Sequence, residues 1–191
     1  GKFLIGISSE NIPEIFIVKI ITNGTDQTTD LSAGAGFQII ATKNMIQELD
    51  ITIITTITSI CIEKDISNNP QRDISGHIDA IQTIKDNFHT ILRTRNGNYF
   101  DNQDISMART ISRITLVQNI LELLNDSSSS VINTISNFIC DSSNSEIRFD
   151  SSDISMLLSD FQDDNDLNFP AIKENRIIKF IEEGINRINE I

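Results

Sequence analysis

Residues 73–92 read DISGHIDAIQTIKDNFHTIL, and residues 104–124 read DISMARTISRITLVQNILELL. In the first, Ile74, Ile78, Ile81, Ile84, Phe88, Ile91 and Leu92 recur at steps of three or four; in the second, Met107, Ile111, Ile114, Val117, Leu121 and Leu124 do the same. An α-helix turns about 100° per residue, so this spacing gathers the apolar side chains into one stripe on each segment. Between the two, Asn96, Gly97, Asn98, Asp101 and Asn102 accept turn or left-handed backbone and end helices. The pattern predicts two helices packed as an antiparallel hairpin over residues 73–124, with the rest of the chain arranged around it.

Upstream, Met45 or Ile46, Leu49, Ile53, Ile57 and Ile60, with Ile54 alongside, predict a long helix from Asn44 to near Lys64, stopped by Asn68, Asn69 and Pro70. Residues 51–60 are β-branched at almost every position, so a strand competes on propensity. Downstream, Val131, Ile132, Ile135, Phe138 and Ile139 mark a short helix. Leu157, Leu158 and Phe161 mark another, and Ile177, Ile178, Ile181, Ile185 and Ile188 a final one with Glu182, Glu183, Arg187 and Glu190 towards water. Asp73, Asp104 and Asp153 each open an Asp-Ile-Ser triplet before such a run, where an aspartate serves as an N-cap; Asp65 opens a fourth copy before a loop.

The N-terminal 22 residues are open between a helix and short strands. Residues 15–21 are β-branched and aromatic, but Pro13 followed by Glu14 suits a first helical turn, and the helical remainder of the chain favours helix. Asn23-Gly24 makes a turn, yet residues 25–30 offer no apolar partner, which argues against a β-hairpin. Ala33-Gly34-Ala35-Gly36 has the look of a phosphate-binding loop but lacks the third glycine, Ile39 standing in its place, and no βαβ pattern surrounds it. The expectation is an all-α, single-domain bundle of about six or seven helices, with residues 1–43 an irregular N-terminal segment and 44–191 the bundle centred on 73–124.

The formal net charge of −12 argues against nucleic-acid binding and against an anionic membrane surface, both of which need a basic face. No apolar run approaches the roughly 20 residues of a membrane span. Gly1 is not an initiator methionine, and targeting cannot be read from the chain. The only two cysteines, Cys61 and Cys140, each sit in an apolar helical pattern; they either pair or pack as free thiols, and a bridge would contribute about 4 kcal/mol through loop entropy. Asn23-Gly24-Thr25 and Asn125-Asp126-Ser127 match the N-glycosylation acceptor pattern at predicted turns. Cysteines and acceptor sites together point to an extracellular protein, with a cytoplasmic one as the alternative.

Asp160, Asp163, Asp164 and Asp166 are the densest cluster of potential ligand oxygens. Aligned to a calcium loop from Asp163, Asn165 falls at the third position and Glu174 at the twelfth, but Leu167, Asn168 and Pro170 break the pattern, so a solvated acidic loop is expected. Arg93, Arg95, Arg109 and Arg113 make the hairpin locally basic and offer the acidic C-terminal third a surface. His77 and His89 are about 18 Å apart along one helix and cannot share a metal. No nucleophile, zinc or redox motif occurs, so no catalytic residue, cofactor or metal is assigned. The sequence therefore predicts a non-catalytic, secreted interaction or structural protein that self-assembles or binds a protein partner. The alternatives are a carrier holding an apolar small ligand in a bundle cavity and an intracellular effector or viral protein binding a host protein.

Overall fold

The computed structural model describes residues 12–20, 24–25, 32–33, 37–45, 51–91, 105–124, 128–141 and 149–190. It is largely helical. Among the described residues the elements are β1 (Ile15–Lys19), β2 (Gly24–Thr25), β3 (Ser32–Ala33), β4 (Gln38–Thr42), then α1 (Ile53–Asn68), α2 (Ile74–Ile91), α3 (Ile105–Leu124), α4 (Ser128–Asp141), α5 (Ser151–Asp164) and α6 (Ala171–Glu190). The helical class agrees with the sequence reading; the N-terminal segment and the packing expected around residues 73–124 do not.

β1 pairs antiparallel with β4, Ile15 opposite Thr42 and Lys19 opposite Gln38, and β2 pairs with β3 in the same register, Gly24 opposite Ala33. The Ile20 N–H donates to Phe37 O at 2.8 Å between the two ladders, so both pairs of strands belong to one hairpin register. The helix expected over residues 14–21 is thus a strand, and the β-hairpin argued against is present. Its partner lies beyond the glycine-containing stretch rather than in residues 25–30. A short apolar run of Ile, Phe and Val suits either state, and the pairing with a distant buried strand decides it.

β4 is buried along its whole length, and its second edge meets α1 instead of another strand. There the Gln38 N–H donates to Thr56 Oγ1 at 3.0 Å and the Ile40 N–H to Ser59 Oγ at 2.8 Å. Helix hydroxyls therefore satisfy backbone donors that a neighbouring strand would otherwise take.

The helix predicted from Asn44 begins instead at Ile53, after a single tight turn over Lys43–Met45. Thr52 caps it: its hydroxyl accepts from Thr55 N–H at 3.2 Å while Thr55 Oγ1 accepts from Thr52 N–H at 2.8 Å. This reciprocal cap, built from two threonines, stops the helix from extending backwards. From Ile53 to Ser59 every residue of α1 is buried, because β4, α2, α3 and α4 surround it. α1, rather than the 73–124 pair, is the centre of the bundle.

α2 packs chiefly on α1, whereas α3 packs on α6 and α4. Among the described residues α2 and α3 share no extensive face, although Ile84 and Phe88 of α2 reach the main core that Ile114 and Val117 of α3 also enter. α3 and α6 run antiparallel: Leu116 lies against Gly184, where an added Cβ would stand 2.6 Å from Leu116 Cδ2, and Arg113 Nε donates to Asn189 Oδ1 at 3.0 Å. A smaller core of Ile40, Ile62 and Ile81 joins β4, α1 and α2.

Asp73 caps α2 as expected, accepting from Gly76 N–H at 2.8 Å. Asp153 does not cap α5; Asp150 does, taking the Ser152 and Asp153 amides. Asp153, one turn in, accepts from the Phe149 N–H at 2.8 Å. Phe149 adopts φ 54°, which favours glycine, yet its ring is buried beside the equally buried Ile154. Apolar residues flanking a cap in this way staple the chain to the helix and hold Phe149 in that backbone. Asp104 lies outside the described residues, and Asp65 sits inside α1, paired with Arg72.

Candidate functional site: the acidic groove between α4 and α5

On α5, Met156, Asp160, Asp163 and Asp164 follow one another at helical steps, and on α4 Thr134, Asn137, Phe138 and Asp141 do so. Where the two helices pack, these rows line an open groove of about 590 Å³, with Lys64 of α1 also in its wall. Lys64 Nζ donates to both carboxylate oxygens of Asp141, at 2.7 and 2.9 Å. Thr134, itself buried, donates to Asp164 Oδ2 at 2.5 Å. Partial burial, and then the neighbouring carboxylates of Asp164, Asp163 and Asp141, hold the Asp160 carboxyl above the usual range. Four carboxylates against one ammonium give the groove a negative potential, with Phe138 and the exposed Met156 as its apolar elements. Such a surface favours a cationic group with some apolar area.

The structure does not assemble a calcium loop from these residues. Asp163 and Asp164 are in the last turn of α5, Asn165 is its C-cap, and Asp166 leaves it at φ 52°. Glu174 belongs to α6 and accepts from Gln162 Nε2 at 2.8 Å. Among the described residues no three His, Cys, Asp or Glu side chains converge as a ligand set.

Cys61 of α1 and Cys140 of α4 form a disulfide, their Cα atoms 5.6 Å apart. The acceptor residues Asn23 and Asn125 lie outside the described residues, as do Arg93 and Arg95, Gly34, Gly36 and the side chain of His89. His77, half-buried on α2, has its Nδ1 buried without a partner among the described residues, as has Arg109 Nε on α3. Lys85 is 5% exposed on α2, and burial lowers its pKa to about 8. None of these brings a nucleophile to a base.

Large apolar side chains are also exposed on α6 and at the end of α3. Ile172 is 70% exposed, Phe180 63%, and Leu123 at the end of α3 is 85% exposed. Glu183, Arg187 and Glu190 face water as expected, but Glu182 is half-buried and accepts from Ser151 of α5. Sequence reasoning found Asp160, Asp163 and Asp164 of the groove, added Asp166, which does not line it, and missed Asp141, Thr134, Met156 and Lys64. The step from Met156 to Asp160 to Asp163 is legible as one helix face; Thr134 and Lys64 join only through packing of other helices. No protein-family model matches the chain, and comparison with curated proteins and with solved structures finds no significant similarity.

Proposed function

We propose that the chain is a non-catalytic, secreted protein that works by assembling with itself or with a protein partner. The observation supporting this most directly is the apolar exposure on the α3–α6 pair, where Leu123, Ile172 and Phe180 stand in water. Covering a large apolar side chain is worth about 1.5–3 kcal/mol, and these three stand on helices that pack against each other, which supports an interface there. The disulfide fits an oxidising compartment, and no helix among the described residues is long and apolar enough to cross a membrane. Native mass spectrometry of protein from its natural source, with and without reductant, tests the proposal. The expected species is a disulfide-bonded oligomer or a complex with a protein partner. A bare monomer at every concentration tried, without partner mass, overturns it.

A further inference from the structure

Plotted at 100° per residue, Lys173, Arg176, Phe180 and Arg187 of α6 fall within an arc of about 60°. All four are exposed and no carboxylate falls in that arc. Lys179, outside it, pairs with Glu183 at 3.9 Å, and among the described residues no ion pair uses Arg176 or Arg187. On a chain of net charge −12 this is a local cationic and aromatic flank. The opposite composition occurs on α4 and α5, which contain five aspartates between them and no lysine or arginine.

We infer that the basic flank of α6 in one copy docks in the acidic α4–α5 groove of the next, Arg176 and its neighbours meeting Asp160 and Asp163 while Phe180 covers Met156. This rests on the self-assembly reading above and gives it a geometry. The flank adjoins α3, since Gly184 on its border touches Leu116, whereas the groove opens between α5 and α4. One molecule therefore cannot satisfy its own groove, and the contact joins two different surfaces. Such head-to-tail contacts close into rings or run on as filaments. Copies with net charge −12 repel one another at long range, so the contact must be local, and both surfaces it needs are present on every copy. Lys64 does not fill the groove's demand for cations, because it is committed to Asp141 and leaves Asp160 and Asp163 for the incoming side chains.

Sedimentation of the full chain in about 0.02 M and about 0.5 M salt reads the assembly. The wild type is expected to form oligomers at low salt and to dissociate at high salt. Arg176→Glu blocks the flank and leaves the groove; Asp160→Lys blocks the groove and leaves the flank. Each variant alone, with its helical circular dichroism intact, is expected to lose at least tenfold in association constant, equivalent to about 1.4 kcal/mol. Mixed in equal amounts, the two retain one good flank and one good groove, and are expected to recover association, at least to a dimer. If the wild type assembles but neither variant weakens it, or if the mixture yields no dimer, the docking mode is overturned while self-assembly stands. A wild type that stays monomeric at low salt overturns both.

Discussion

Ser59→Ala is the most informative single perturbation of the fold. The Ser59 hydroxyl accepts from the Ile40 N–H at 2.8 Å and donates to Thr55 O at 2.7 Å, and Ile40 and Ser59 are both 1% exposed. Removing the hydroxyl leaves a buried amide that water cannot reach. Leaving such a donor unpaired costs about 1–3 kcal/mol. In a chain of this size each kcal/mol moves the melting temperature by about 2–4 °C, so a loss of about 2 kcal/mol lowers it by about 4–8 °C. Thr56→Val, isosteric and aimed at the Gln38 amide 3.0 Å away, is expected to cost a similar amount. The control is Ser136→Ala on α4, whose hydroxyl is equally buried but only donates back to Ile132 O at 2.6 Å, a carbonyl within the helix. Urea denaturation gives the free energies, and amide exchange locates the effect: Ile40 should lose protection by tenfold or more per 1.4 kcal/mol. If Ser59→Ala costs no more than Ser136→Ala, the claim that α1 hydroxyls complete the β4 edge is refuted.

Replacing both cysteines by alanine removes a cross-link with a sequence separation of 79, worth about 4.5 kcal/mol on the chain-entropy estimate, and lowers the melting temperature by about 9–18 °C; calorimetry with reductant on the wild type should match it, and an unchanged melt under reductant contradicts the bridge. Lys85, with its pKa lowered by burial from 10.5 to about 8, is charged in both states below pH 8, and between pH 8 and 10.5 the unfolded chain holds the extra proton. Stability should therefore rise across that window by up to about 3 kcal/mol, and Lys85→Met should flatten the rise in pH-dependent urea melts. Gly184→Ala should gain less than the roughly 1 kcal/mol of helix propensity, because Leu116 must move aside; in a Leu116→Ala background the full gain should appear, and equal effects in both backgrounds exclude the close α3–α6 approach.

The arms α2 and α3 were legible because Ile81 and Phe88 of α2, and Ile114, Val117 and Leu121 of α3, are buried at helical steps, although Ile74, at the start of the α2 stripe, is exposed. In α1 the spacing of Ile53, Ile57 and Ile60 gave the helix, but not that every residue from Ile53 to Ser59 is enclosed, and its threonines made a strand compete on propensity. In the structure they are helix residues that turn their hydroxyls back on the preceding turn, Thr56 to Thr52 O and Thr58 to Ile54 O, both at 2.8 Å. β1 was misread because a strand whose partner is some 20 residues away leaves no local signature. The cap of α5 was readable: in Phe149-Asp150-Ser151-Ser152-Asp153-Ile154 the two apolar residues bracket Asp150 at staple spacing, which points to Asp150 and away from Asp153. The groove was half-legible. Its aspartates stand out in sequence, but their orientation towards Thr134 and Lys64 depends on how α4 settles against α5 and α1.

That settling links the disulfide to the groove. Cys61 lies three residues before Lys64 on α1, and Cys140 immediately precedes Asp141 on α4, so the covalent bridge and the Lys64–Asp141 ion pair hold the same seam. Lys64 and Asp141 are both well exposed, and an exposed pair of this kind contributes about 0–1 kcal/mol, too little to fix one helix against another. The bridge sets the seam, and the ion pair follows from it. Reduction at a temperature well below the melt should then free Lys64 to wander and lower the cost of leaving Asp141 unpaired, changing the groove before the fold is lost. If the groove receives the next copy, assembly falls under mild reductant while helical circular dichroism holds. Sedimentation of reduced and oxidised protein side by side decides this: equal association with a fully reduced Cys61–Cys140 pair would show that the bridge stabilises the bundle without shaping the groove.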